Sequence, residues 1–196
     1  MNKIFLVATL VGLALFQTNC TNTEKKGEIV TQKLSDEEAK MAEIQAIEKV
    51  AAESAQVASS LRYSKENGES VMILAFLKED GKVMKIEEQF NEGNNGNFGK
   101  IFYYMKDDNL FSTREYFEDH SNNEVKFVER ISFYDSKGKI EKTIEKRVNF
   151  EDELEQASFK PVELRNLTID RAMQVLDQKG AFQTTFQGFI ASDDLT

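Results

Sequence analysis

One cysteine, one proline and one histidine are present in 196 residues. A lone cysteine, Cys20, cannot close an internal disulfide, so no disulfide framework holds this chain. His120 stands alone in the loop 119–123, and zinc binding or nucleophilic catalysis needs partner residues around a histidine. It reads as a solvated loop residue. Pro161 marks a single extended connection late in the chain. The phosphate-cradling patterns G-x-x-x-x-G-K-[ST] and G-x-G-x-x-G are absent, as are G-x-S-x-G and C-x-x-C. Nucleotide, serine-hydrolase and thiol-redox chemistry therefore lack their usual signatures. The longest apolar run, Ile4–Phe16, is too short to span a bilayer. Positive charge is also scarce: 25 basic against 34 acidic residues give a net charge of −9. That balance argues against nucleic acid or anionic lipid headgroups as the main partner, and allows a basic protein partner.

What the chain does have is enough hydrophobic and aromatic content, 40% and 10%, to fill the core of one ordinary domain. The first 20 residues stand apart from it. Lys3 supplies a positive start, Ile4–Phe16 an apolar stretch of signal-peptide length, and Cys20 follows closely. The segment resembles a bacterial lipoprotein signal, in which the cysteine becomes the first residue and carries the lipid. Gln17 and Asn19 depart from the common box and look like the relaxed boxes of spirochaetes and Bacteroidetes. The resemblance implies a lipid anchor at Cys20. Because Thr21 is not the aspartate that retains enteric lipoproteins in the inner membrane, it also implies the outer membrane. Several acyl chains, at about 0.8 kcal/mol per buried methylene, would hold such an anchor permanently. Residues 21–34 are polar and read as a tether. Residues 35–191 form the expected single domain, and 192–196 a frayed tail.

The centre of the domain is Val71–Val148, which reads as three β-hairpins. Asp80-Gly81 separates Val71–Leu77 from Lys82–Phe90. Asp107-Asp108-Asn109 separates Lys100–Lys106 from Leu110–Glu118, and Asp135-Ser136-Lys137-Gly138 separates Val125–Tyr134 from Lys139–Val148. Asp80, Asp108 and Ser136 are spaced by 28 residues, as a repeated hairpin or an evenly spaced plain meander would be. The loop 91–97 has one carboxylate and no EF-hand spacing, so it reads as an inter-hairpin connection and not a calcium site.

Two helices flank these strands. Ser35 and Glu38 form a capping box for a helix whose apolar stripe, Met41, Ile44, Ile47, Ala51, Ala55, Ala58 and Leu61, predicts helix as far as Tyr63. Thr168 is placed to cap a second, short helix carrying Ile169, Ala172, Met173, Val175 and Leu176, stopped by Gly180. Residues 181–190 alternate and read as one more strand, making six or seven. The fold class is α+β: an antiparallel meander sheet with a long N-terminal helix packed on it and a short C-terminal helix.

Pairing from the turns sets Met105 opposite Leu110, Tyr103 opposite Ser112, Ile101 opposite Arg114 and Arg114 opposite Glu129. One sheet face then carries Arg114 and Glu129 among Ile101, Tyr103, Met105, Leu110, Tyr116, Phe127, Ile131, Phe133, Ile140 and Ile144. The remaining strand carboxylates, Glu87, Glu88, Glu115, Glu141 and Glu145, alternate with Lys85, Arg130, Lys142 and Lys146 and read as solvated cross-strand ladders. The runs from Gly99 to Tyr116, Val128 to Tyr134 and Gly138 to Ile140 resemble small envelope lipoproteins of unassigned function in Bacteroidetes and similar bacteria, over about residues 68–145. The resemblance implies an antiparallel sheet and an envelope setting, and brings no catalytic residues. The expected function is therefore binding or assembly on a lipid anchor without a cofactor. Tyr103, Tyr104, Arg114, Tyr116, Glu129 and Tyr134 are the candidate contacts for an apolar ligand or a basic envelope protein. The alternative is a hydrolase built on a strand-borne carboxylate pair.

Overall fold

The computed structural model describes residues 35–183, apart from 54, 95, 122 and 123. Cys20, the tether and residues 184–196 lie outside the described residues. The helix α1 (Asp36–Glu53) opens on the capping box: the Glu38 N–H donates to Ser35 Oγ at 3.2 Å and the Ser35 N–H donates to Glu38 Oε2 at 2.8 Å. The helix ends ten residues before Tyr63. In place of its expected last turns are two short strands, β1 (Gln56–Ser59) and β2 (Tyr63–Ser64), paired antiparallel along β3 (Glu69–Leu77). Val57, Ser59 and Ser60 are weak helix formers, and pairing here satisfies the β3 backbone edge.

The six strands of the three hairpins follow as β3, β4 (Val83–Glu92), β5 (Phe98–Lys106), β6 (Asn109–Asp119), β7 (Lys126–Tyr134) and β8 (Ile140–Val148). A two-residue strand β9 (Lys160–Pro161) completes a nine-stranded antiparallel sheet in chain order, against the six or seven strands expected. Proline is tolerated there because the strand is at the edge. After β8 comes a 3-10 turn, Glu151–Leu154, and after β9 the helix α2 (Asp170–Leu176). Thr168 does not cap α2. Ile169 holds the cap position in helical conformation, and its aliphatic side chain has no group to cap with. Gly180–Phe182 is a 3-10 turn and not a strand; residues 184–190 lie outside the described residues.

The three turns are where expected, with Asp107 and Asp108 both at positive φ, as a tight two-residue hairpin turn requires. Each hairpin also contains a bulge. Met84, Phe111 and Glu141 have no residue opposite them, and each comes three residues after the last turn residue, Gly81, Asp108 or Gly138. The recurrence supports the repeated unit over chance spacing. A bulge also reverses which face the later residues occupy.

That reversal corrects the expected register. Met105 is opposite Leu110, but Tyr103 is opposite Thr113 and Ile101 is opposite Glu115. Arg114 is opposite Ile131, and Glu129 is opposite Tyr116. The single face of the sequence reading is therefore two. Ile101, Tyr103 and Leu110 pack with Val71, Ile73, Ile86, Ala172 and Val175 beneath α2. Ile131, Phe133 and Ile144 pack with Tyr104, Phe111 and Ile44 beneath α1. Each face has its own helix.

Charge also departs from the expectation. Glu88 is 0% exposed, Glu115 2% and Glu129 3%, so these carboxylates are buried and not solvated. Lys85, also buried, donates to Glu48 on α1 at 2.6 Å, with its ammonium 4.9 Å and 4.7 Å from the ring centres of Phe76 and Phe102. Lys106 with Glu43, and Lys40 with Glu141, add further ties between α1 and the sheet.

Candidate functional site

The six expected contact residues separate into two groups. Tyr103, Tyr104 and Tyr134 are buried; Tyr104 and Tyr134 each bond a segment that covers the sheet, and Tyr103 bonds a carboxylate within it. The Tyr104 hydroxyl donates to Glu48 of α1 at 2.6 Å. The Tyr103 hydroxyl donates to Glu88 Oε2 at 2.9 Å, and burial, reinforced by that carboxylate, pushes the phenol far above its ordinary pKa. The Tyr134 hydroxyl donates to the Leu167 carbonyl and accepts from the Leu167 N–H, at 3.2 and 3.1 Å.

The reason for the last contact is a segment without regular structure, residues 162–167, which crosses the α2 face and whose backbone groups need partners. A transverse row of small polar side chains supplies them. Thr143 Oγ1 accepts from the Arg165 N–H at 3.2 Å, and Ser132 Oγ donates to the Arg165 carbonyl at 3.3 Å. Beside this row, Arg165 Nε donates to Glu115 at 3.0 Å, and Arg130 pairs with Glu145. Burial pushes the Glu115 carboxyl up against the opposing pull of Arg165 and Arg130. Farther along, burial disfavours the Asp119 anion, yet the Ser121 hydroxyl and Arg147 guanidinium outweigh it and hold the carboxyl down to about 2.

Arg114, Tyr116 and Glu129 do come together, on the α1 face. Arg114 and Glu129 are diagonal across the strands, and Arg114 Nε and Nη2 both donate to Glu129 Oε1, at 2.9 and 2.5 Å. The Tyr116 hydroxyl donates to the same oxygen at 3.1 Å, and Lys146 approaches Oε2 to 3.2 Å. This group floors an open depression of about 660 Å³ lipped by Glu151, Asp152 and Glu155. Donors converge on the Glu129 carboxylate from three side chains, which fits a fixed ionic knot.

A second concavity, of about 480 Å³, escaped the sequence reading. It lies where β2, the start of β3 and the end of β4 meet Arg171 of α2 and the turn at Ala181 and Phe182. Its aromatic lining is Tyr63, Phe90 and Phe182, with the Tyr63 and Phe182 rings edge-on at 5.2 Å. The Tyr63 hydroxyl is buried and has no hydrogen-bond partner among the described residues. Two loops above the cleft are stitched together: the Asn94 N–H donates to the Asn67 carbonyl at 3.1 Å, and Gly93, at φ +94°, leaves no room for a Cβ against that carbonyl. Both cations of the lining are already neutralised, Lys65 by Glu69 and Arg171 by the buried Glu88. One signal could have revealed this corner. Asn67-Gly68, just past the expected helix end at Tyr63, is strong hairpin chemistry.

Among the described residues no cluster of histidine, cysteine, aspartate and glutamate is arranged to hold a metal ion, and no helix is long and apolar enough to cross a membrane. His120 has its ring 5.7 Å from Phe98 and its Nε2 3.4 Å from Glu118. No known protein family, curated protein or solved structure matches this chain.

Proposed function

We propose that this chain is a lipid-anchored protein of the bacterial cell envelope that acts by binding, and that it takes a small, uncharged, partly apolar ligand in the cleft bounded by Tyr63, Phe90, Arg171 and Phe182. The observation that carries the ligand reading is the buried Tyr63 hydroxyl without a partner, set beside aromatic rings in a concavity of ligand size. A buried donor left unsatisfied costs about 1–3 kcal/mol, which a ligand acceptor would remove. Charge argues for a neutral ligand, since an anion would have to draw Arg171 away from Glu88. The signal-like run ending at Cys20 supports the anchor. Binding is preferred to the hydrolase alternative because Glu115, the strand carboxyl that burial pushes up, is engaged by Arg130 and Arg165 and lines neither the cleft nor the Glu129 depression.

The test is native mass spectrometry of the protein purified from its own membranes in mild detergent. A small-molecule adduct is expected on the wild type, and Ala181→Trp, which fills the cleft from an exposed position, should abolish it. Tyr63→Phe should lower adduct retention roughly tenfold, the loss of one hydrogen bond, while leaving thermal stability unchanged or raised. An adduct that persists in Ala181→Trp would place the ligand elsewhere. For the anchor, Cys20→Ala should move the protein from the membrane fraction to the soluble one; continued membrane fractionation of that variant would reject lipidation.

A further inference from the structure

The two lateral edges of the sheet are built differently. At the β9 end the edge is a two-residue strand containing Lys160 and Pro161, and the Val162 N–H then donates to the Thr143 carbonyl of β8 at 3.1 Å. Proline, charge and brevity are the devices that stop an edge from recruiting another strand. At the other end, β1 is twice as long and has neither proline nor charge. Residues 55–61 contain no charged residue, no proline and no glycine, in a chain that is 30% charged. Val57 is 54% exposed and Leu61 is 57% exposed. The strand pairs with β3 on one side, and among the described residues no strand pairs with its outer side.

We propose that β1 pairs antiparallel with β1 of a second copy of this chain, joining two sheets across a two-fold axis. Charge permits a second copy only at this edge. Two copies that each carry −9 repel over most of their surfaces, and residues 55–61 form an uncharged edge strip, exposed at Gln56, Val57, Ser59 and Leu61, where they can meet without opposing like charges. The strip is also self-complementary, with small side chains flanking Val57, as an isologous contact requires. Antiparallel partners alternate between hydrogen-bonded and non-hydrogen-bonded pairs, so a two-fold axis has to pass through a residue and not between two. It therefore falls on Val57 or on Ala58. Either choice sets a residue opposite its own copy, with Cα atoms about 4.5–5.5 Å apart, within the range a disulfide spans.

This geometry is independent of the ligand cleft and gives a direct test. Val57→Cys and Ala58→Cys are made separately in the full chain, expressed in its native host, and membranes are oxidised mildly. One of the two should yield a disulfide-linked dimer at least fivefold above both the unsubstituted chain and a Lys160→Cys control at the opposite edge. Val57→Lys should abolish the dimer in sedimentation of the detergent-solubilised protein, with the melting temperature unchanged, which separates lost association from lost folding. Cross-linking at neither position above the control would overturn the proposal. So would a Val57→Cys or Ala58→Cys product whose mass shows a different protein attached, since the edge would then serve a foreign strand.

Discussion

Replacing Arg171 with methionine is expected to destabilise the protein by about 3 kcal/mol in urea titration. Glu88 is wholly buried in the sheet beneath α2, and among the described residues its carboxylate is held only by Arg171 and the Tyr103 hydroxyl. Breaking a buried ion pair from one side typically costs about 3–5 kcal/mol, because the charge left behind keeps its desolvation penalty. The lower end applies here, as the Arg171 side chain is 53% exposed and water can follow it in. The origin of the loss is testable by adding Glu88→Gln to the same variant. The amide still accepts from Tyr103 but carries no charge, so the double variant should recover most of the stability. An Arg171→Met protein within about 0.5 kcal/mol of wild type would show that the pair does not hold α2 to the sheet.

Gly99→Ala should be at least as damaging, by about 3 kcal/mol or more, although it adds a single methyl group. Gly99 is in β5 opposite Phe117 of β6, where a Cβ would lie 2.0 Å from the Tyr116 carbonyl oxygen and 2.7 Å from the Phe117 Cα. Both obstacles are backbone, so no side chain can rotate away, and the two strands must separate in the middle of the sheet. Gly81→Ala provides the contrast. A Cβ there meets nothing within 4 Å, and only the left-handed backbone, φ +81°, opposes it, at a cost of about 1–2 kcal/mol. Equal losses in the two variants would remove the steric argument, and the ranking is read directly from denaturation midpoints.

Local chemistry was legible in the sequence, and packing from distant segments was not. Asp80-Gly81, Asp107-Asp108 and Asp135–Gly138 located all three central hairpins, because a turn needs only its own residues to declare itself. The Arg114 and Glu129 side chains meet as expected, but diagonally, since the pairing of β6 with β7 is shifted by two residues and so keeps the same face. The bulge at Phe111 shifts β5 by one and so moves Ile101 and Tyr103 to the other face; no residue at that position announces it. The helix stripe ran past Glu53 because Ala58 and Leu61 suit either a helix or an edge strand, and only the open side of β3 decides between them. Glu115 and Arg130 looked solvated because the segment that crosses their face, residues 162–167, has no periodicity of its own. The cleft at Tyr63 had one legible part, the Asn67-Gly68 turn; the rest of its lining comes from β2, β3, β4, α2 and the turn at Phe182, and none of these contributions has a recognisable spacing.

The order of strands along the sheet has a consequence for how the chain folds. From β3 to β9 every strand lies beside its neighbours in sequence, and β1 and β2 turn back on β3 within a few residues. Nearly every strand pairing thus joins strands adjacent in the chain. Low contact order lets a nucleus form at any one of the hairpins and grow outward one strand at a time, without the long loop closure that slows sandwich and barrel folds. Each hairpin carries its own bulge beside its turn, so the bend of the sheet is specified locally, hairpin by hairpin, and not by the helices that pack on it.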